Sequence, residues 1–575
     1  MALSPLTLSL TISRAFNMKF STALVLLAIV PISWASPTLP QHTDLDRYVQ
    51  QPDESYRWKV VNTSETVGIR SVVVDMVSQT WLTHDQVDQP EWQHWLVLAI
   101  PKQVSSSVGL LYIGGGSNGR QPPEQANDQM KAIARATGLV VAELRMAPNQ
   151  PLVFHNDGVR RTEDDLIGYT WDQYLETGNS VWLARNPMVK SAVRALDTMA
   201  AATARESDGA LQLDRFIVAG GSKRGWTTWL TGAVDPRVIG IVPIVIDVLN
   251  ADISMRHHFA AYGYWAPSIG NYVDHNIMQR MDHPRLADAY ALVDPYNYRH
   301  RLTMPKLVLN AAGDEFFLPD SSTFYWEDLR GENYLRYVPN GDHGLDGTDA
   351  LESLIAFVTL LAEQRKPPQI NWQLTDEDEL LVMTQHSPKA VHVWQAHNHS
   401  ARDFRVETLG RQYASREIHA DADGIYRTRV KAPDSGWTAT FMELTFDVGA
   451  ATPLKLTTEV VVRPDALPFE GKPSHLPPSI TLTCKIPSEG NVESTLDELA
   501  TLTADADYIA DKLESKLSMG RLYLNWEPAQ GLYHPSSVQM MRLLEQRGFT
   551  HCNFQIESGP EITLPPATSA TLDTK

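Results

Sequence analysis

The chain has 575 residues, 43% of them hydrophobic and 20% charged, with a formal net charge of −19. This is globular rather than disordered composition, and the length suits about two to four domains. The acidic excess leaves no basic surplus to neutralise phosphates, which argues against a nucleic-acid partner and against electrostatic docking on an anionic membrane.

At the N-terminus, Met18-Lys19 precedes an apolar run from Phe20 to Ile32 and then Ser33-Trp34-Ala35. The run is shorter than the ~20 residues that span a bilayer, and the small residues at Ser33 and Ala35 suit signal-peptidase cleavage after Ala35. The expectation is an exported protein, periplasmic or secreted, with no transmembrane segment after signal cleavage. From Leu45 to Pro101 the β-branched and aromatic content reads as paired strands. Beyond Pro101, short apolar strands alternate with helices. Gly109–Ile113 runs into Gly114-Gly115-Gly116, Gln125–Thr137 is helical, Leu139–Leu144 is a strand, and Pro187–Arg205 is a long helix. Near-continuous apolar strands separated by helices mean a parallel sheet covered on both faces.

Next comes Arg215-Phe216-Ile217-Val218, then Ala219-Gly220-Gly221-Ser222-Lys223-Arg224-Gly225 and a helical stretch from Trp226. A strand, a glycine-flanked serine and a helix make a nucleophile elbow, where crowding demands small neighbours. Further strands at 239–246, 306–310 and 334–338 continue the sheet, and the aromatic, histidine-rich segment at about 249–304 interrupts it as a helical cap. After Lys366-Pro367-Pro368 the pattern becomes short strands with polar turns. Pro464–Pro478 is a proline-rich linker, and the remainder reads as helices at about 494–517 and 536–547 with strands at 521–526 and 551–556. The predicted fold class is α/β. A signal peptide occupies 1–35, and an α/β-hydrolase domain with the helical cap occupies 43–365. A β-rich, sandwich-like domain follows at 366–465, and a small α+β module at 479–575. Two cysteines, Cys484 and Cys552, suit either a disulfide in an oxidising compartment or two buried thiols.

A serine nucleophile needs a base, and the base needs an acid to orient it. In α/β-hydrolases these follow in the order Ser, Asp or Glu, His. The strand ending at Asn310 runs into Gly313-Asp314-Glu315, and the next runs into Asn340-Gly341-Asp342-His343. The predicted catalytic residues are therefore Ser222, Asp314 and His343, with Glu315 and Asp247 as alternative acids. The oxyanion would be held by the backbone N–H of Lys223 and by the glycine loop at Gly115 and Gly116. Arg224 stands where the ordinary G-x-S-x-G elbow has its second glycine; the basic pair Lys223-Arg224 is placed beside the oxyanion or an acidic substrate group, or else Arg224 packs under the elbow and pairs with a carboxylate. Tyr262, Tyr264, Trp265, Tyr296 and Tyr298 are candidates for lining a substrate pocket or for core packing, and of these Tyr264 and Trp265 are assigned to substrate binding. Glu163-Asp164-Asp165 reads as a helix cap or a solvated face. His257, His258 and His275 lack metal-ligand spacing, so neither a metal nor an organic cofactor is predicted.

The Gly-x-Ser-basic-x-Gly pattern resembles glucuronoyl esterases, which keeps a sugar ester in view. The longer motifs Ala219–Trp229, Gly313–Asp320 and Tyr334–His343 resemble the PhoPQ-activated pathogenicity-related protein family, from about Leu45 through the β-rich region. That resemblance implies an α/β-hydrolase fold in an exported bacterial protein under two-component control, linked to virulence and antimicrobial-peptide resistance. It supplies no substrate, and some relatives are described as secreted signalling proteins. The expected activity is hydrolysis of a small-molecule ester or a peptide. The alternative is a non-catalytic binding or signalling protein on the same fold.

Overall fold

The computed structural model describes residues 42–471 and, beyond them, 480–485, 513–518, 521–526, 544, 547, 549–556 and 561–563. The signal-peptide reading therefore lies outside the described residues. Among the described residues the first element is a helix, α1 (Asp44–Gln50), where strand was expected from Leu45. Thr43 and Asp46 form a reciprocal capping box at its head, a local signal that outweighs strand propensity.

Strands β1 (Arg57–Thr66), β2 (Ile69–Thr80) and β3 (Glu91–Pro101) then pair antiparallel. β4 (Val108–Ile113), α2 (Asp128–Thr137) and β5 (Val140–Leu144) open the alternating part. It continues through α3 (Glu163–Thr177), α4 (Arg185–Glu206), β6 (Arg215–Gly221), α5 (Lys223–Val234) and β7 (Val238–Ile244). α6 (Ala251–Tyr262), α7 (Gly270–Asp274) and α8 (Pro284–Val293) form the cap segment, followed by β8 (Lys306–Ala311), β9 (Asn333–Val338) and α9 (Ala350–Ala362).

These nine strands make one sheet in the order β1-β2-β3-β5-β4-β6-β7-β8-β9. The run from β5 through β4 to β9 is parallel, and β3 enters it antiparallel against β5. With the serine turn directly after β6, this is the α/β-hydrolase sheet carrying one further antiparallel edge strand, β1. The central strands are buried on both faces; every residue of β8 is buried. That explains their unbroken apolar sequence. The carboxyl ends of β6, β7, β8 and β9 lie along one edge, where ligands bind in open parallel sheets.

The next strands form two antiparallel sheets. One contains Ile370–Leu374, Glu379–Thr384 and Tyr426–Arg429; the other contains Ala390–Asn398, Ala414–Glu417, Trp437–Phe446, Leu454–Thr457 and Val461–Arg463. Their inner residues Leu380, Val393, Met442 and Leu456 share one core with Leu354 and Phe357 of α9. The β-rich region is thus packed against the hydrolase sheet rather than hung from a linker.

In the last sheet the strands run Leu513–Ser518, Arg521–Trp526, Ile480–Lys485, Thr550–Ile556, Glu561–Thr563. Residues 513–517 were expected to end a helix. They form a strand because pairing with Arg521–Trp526 supplies their backbone hydrogen bonds, and such context overrides propensity. The rest of the two expected helices lies almost wholly outside the described residues. Cys484 is buried and disulfide-bonded, so of the two readings of the cysteines the oxidised one holds there. Among the described residues no helix is long and apolar enough to cross a membrane.

Candidate active site

Ser222 sits between β6 and α5 with φ 56° and ψ −128°, a conformation that non-glycine residues adopt only under strain. Its N–H donates to the Ile244 carbonyl at 2.8 Å, so β7 holds the turn from below. A Cβ on Gly220 would lie 2.8 Å from the Arg224 carbonyl oxygen, and one on Gly225 would lie 2.9 Å from those of Gly220 and Ile244. The small residues the elbow needs are therefore at 220, as in G-x-S-x-G, and at 225, one place later than that pattern's second glycine. Lys223 begins α5, and its backbone N–H belongs to the first helical turn, where no carbonyl four residues earlier receives it.

His343 follows β9, and its Nδ1 lies 2.9 Å and 3.0 Å from the two Asp314 carboxylate oxygens. Asp314 is buried after β8 and also accepts the Phe316 N–H at 2.8 Å. Burial alone would lower the His343 pKa, but the Asp314 charge and hydrogen bond and the nearby Glu315 outweigh it and hold it above the ordinary histidine range. Glu315 accepts the backbone N–H of His343 at 2.8 Å, so it braces the loop rather than the ring. Asp247, after β7, accepts the hydroxyls of Tyr325 at 2.6 Å and Tyr337 at 2.5 Å. The three candidate acids thus have three different partners, and the imidazole is Asp314's.

His343 Nε2 is buried and makes no hydrogen bond among the described residues, so the bond from Ser222 is not formed in this structure. Catalytic hydrogen bonds are often loose before substrate binds. Phe316 and Phe317, both tilted against the His343 ring, join Ser222 in lining a single cavity. Its other walls include Trp171 and Trp226 and the cap residues Met255, Ile277, Met278 and Tyr290. The cap therefore closes over the serine with an apolar surface.

The glycine loop touches this region through Arg224. A Cβ on Gly115 would lie 2.6 Å from Arg224 Nη2, and Gly116 has φ 131°, so neither position accepts a side chain without strain. Arg224 donates to the Ala147 carbonyl at 2.6 Å and to both Glu163 oxygens at 2.8 Å and 2.6 Å. It thereby ties α5 to the loop after β5 and to the head of α3. This corrects its assignment to substrate: the guanidinium is spent on protein partners and does not line the Ser222 cavity. Its alternative assignment, to a carboxylate beneath the elbow, fits. Lys223 Nζ, also buried, lies 2.8 Å from Glu163 and 3.0 Å from Asp164. Burial pushes the Glu163 carboxyl up, but Arg224 and Lys223 outweigh it and hold it well below the usual carboxylate range.

Tyr264 and Trp265 also need correction as substrate residues. Tyr264 accepts a hydrogen bond from the buried Arg405 at 2.7 Å, Trp265 stacks on His258, and neither lines the cavity. The buried Arg405 lies over the Tyr264 ring as well as bonding its hydroxyl, which commits Tyr264 to the protein's own core. Tyr296 pairs with Asp328 and Tyr298 with the Leu292 carbonyl. Among the described residues no cluster of three potential metal ligands occurs. Sequence reasoning passed over Phe316, Phe317 and Arg185, which line the cavity together with Lys223, expected beside the oxyanion or an acidic substrate group, and Asp164, expected in a helix cap or solvent. Only the acidic triplet at 163–165, opposite in charge to Lys223-Arg224, offered a signal.

Residues 45–405 match the family described as PhoPQ-activated pathogenicity-related protein. Autocrine proliferation repressor protein A of Dictyostelium discoideum is 37% identical over 477 residues, covering 78% of this chain and 94% of that protein. Among solved structures, acetyl xylan esterase 1 from Thermoanaerobacterium aligns at 13% identity and TM-score 0.38 over 55% of this chain and 92% of its own. A glucuronoyl esterase from Solibacter usitatus aligns at 14% identity and TM-score 0.31 over 54% and 86%. Structural likenesses this distant carry no argument about activity, which has to rest on the site.

Proposed function

The chain belongs to the PhoPQ-activated pathogenicity-related protein family, and we propose that this member is an exported serine hydrolase cleaving an ester or peptide bond. The observation that carries this reading is the Asp314–His343 pair, 2.9 Å apart, on the loops after β8 and β9 beside the strained serine turn after β6. A buried carboxylate on Nδ1 selects the tautomer whose Nε2 accepts a proton.

In the proposed reaction Ser222 Oγ attacks the acyl carbon while His343 Nε2 takes its proton. The new oxyanion is received by the Lys223 N–H and by an N–H of the Gly115–Gly116 loop. Collapse breaks the bond to the leaving group, which takes the proton from His343. A water then repeats the sequence on the acyl-enzyme and regenerates Ser222. Asp314 orients the ring and stabilises its cationic form throughout. The apolar cap residues receive the organic body of the substrate, and no cofactor enters the scheme. Export to the periplasm or beyond, and a role in virulence and antimicrobial-peptide resistance, belong to this proposal through the family.

A second reading, a secreted signalling protein that has kept the fold, is favoured by the description of the Dictyostelium relative as a proliferation repressor. Fluorophosphonate labelling separates the two. Wild-type protein should label, and Ser222→Ala and His343→Ala should both lose labelling while retaining the wild-type melting curve. A folded wild type that never labels, even with small probes, would favour the signalling reading.

A further inference from the structure

Arg185 is the first residue of α4, and it is only 2% exposed. Its side chain lines the Ser222 cavity. Nη1 donates to the Lys223 carbonyl at 3.0 Å, and the guanidinium lies 4.6 Å over the Trp226 ring. Nε is buried without a hydrogen-bond partner. The two carboxylates nearby are already committed: Glu163 to Arg224 and Lys223, and Asp164 to Lys223 and the Tyr272 hydroxyl. Three cations therefore face two carboxylates, and Arg185 is the one left without an ion pair among the described residues.

A buried guanidinium with a free donor and no ion-pair partner of its own, only the more distant charges of Asp164 and Glu163, is expensive to hold. Its planar fork matches a carboxylate bidentately, as it also does a phosphate. Most of the remaining cavity wall is apolar, with Trp171, Ile269, Ile277 and Met278 in the lining, and its charged side chains besides Arg185, namely Lys223 and Asp164, are paired with each other. We propose that Arg185 receives a carboxylate of the substrate, so that the compounds hydrolysed at Ser222 carry one negative charge separated from the scissile bond by an apolar spacer. The assignment rests on the serine-hydrolase reading for turnover, but not for binding. Arg185 is then a specificity-determining residue that touches substrate away from the reacting atoms.

The test compares 4-nitrophenyl half-esters of succinic, adipic and suberic acid with the same compounds methylated at the free carboxylate. Wild-type protein should prefer the charged member at one or more lengths by about tenfold or more in kcat/KM, as expected for a hydrogen bond to a charged group. Arg185→Gln should bring that ratio to about one, and Arg185→Lys should restore part of it. A merely structural role would lower both members alike and leave the ratio unchanged. No charge preference in wild type at any length overturns the proposal, whether or not Arg185→Gln folds. The second arm uses Ser222→Ala, which needs no turnover. Isothermal titration should detect adipate or suberate but not the dimethyl esters, with binding lost on adding Arg185→Gln. If wild type hydrolyses neither member and fails to label with fluorophosphonate, the hydrolase reading falls and titration alone decides. Dicarboxylate binding there sustains the anion site, and its absence overturns it.

Discussion

The ends of β7 and β8 occupy neighbouring positions at one sheet edge, and each carries a buried aspartate: Asp247 and Asp314. Their surroundings differ. Asp314 meets an imidazole that it holds toward the cationic form, whereas Asp247 meets two tyrosine hydroxyls in full burial. Burial pushes the Asp247 carboxyl up to about 8 against the pull of the tyrosine hydroxyls, so it is mostly neutral near pH 7. The difference teaches that a position after a parallel strand offers an acid to the site, and the partner decides whether that acid is an electrostatic device or a structural one.

Exchanging both residues breaks this comparison most directly. Asp314→Asn should lower kcat/KM by about 1,000- to 10,000-fold with the fold intact, because the ring loses both its tautomer and its counter-charge. Asp247→Asn, which keeps the shape of a neutral acid, should cost less than about tenfold. Equal losses in steady-state kinetics would erase the distinction between the two strand ends.

A smaller effect concerns stability. The folded pKa of Asp247 is raised, so its contribution is fully present below the unfolded carboxylate pKa of about 3.9 and is lost as pH rises through about 8. The unfolding free energy of wild type should therefore fall relative to that of Asp247→Asn between pH 5 and pH 8, by roughly 3–4 kcal/mol. Urea titrations of both proteins at several pH values measure this. A constant difference would mean that Asp247 is ionised in the fold.

The smallest expected effect sharpens the other side. His343 must be neutral to accept the serine proton, so kcat/KM should rise with pH through a limb above the ordinary histidine range. Glu315→Gln removes one of the charges that raise that pKa and should move the limb to lower pH. A limb unmoved by Glu315→Gln, or one below the ordinary range, would contradict the electrostatics described here.

Much of the fold was legible because each step is local. Alternating apolar strands and helices, the glycine-flanked turn at Ser222 and the loops holding Asp314 and His343 depend on neighbours in the chain. What stayed illegible depends on distant ones. Arg224 finds Glu163 from 61 residues away, and Tyr264 finds Arg405 from 141 away. Leu513–Ser518 became a strand through pairing rather than propensity.

From the sequence alone came the α/β-hydrolase fold and a short list of candidate chemical residues, since a tight turn and an ordered series of strand ends are written in adjacent residues. Tertiary structure decided which acid serves the histidine, which basic residue is a strut, and where an unpaired buried cation faces the cavity. Those outcomes depend on desolvation and on charges brought together from separate elements, and neither is a property of any one stretch of chain.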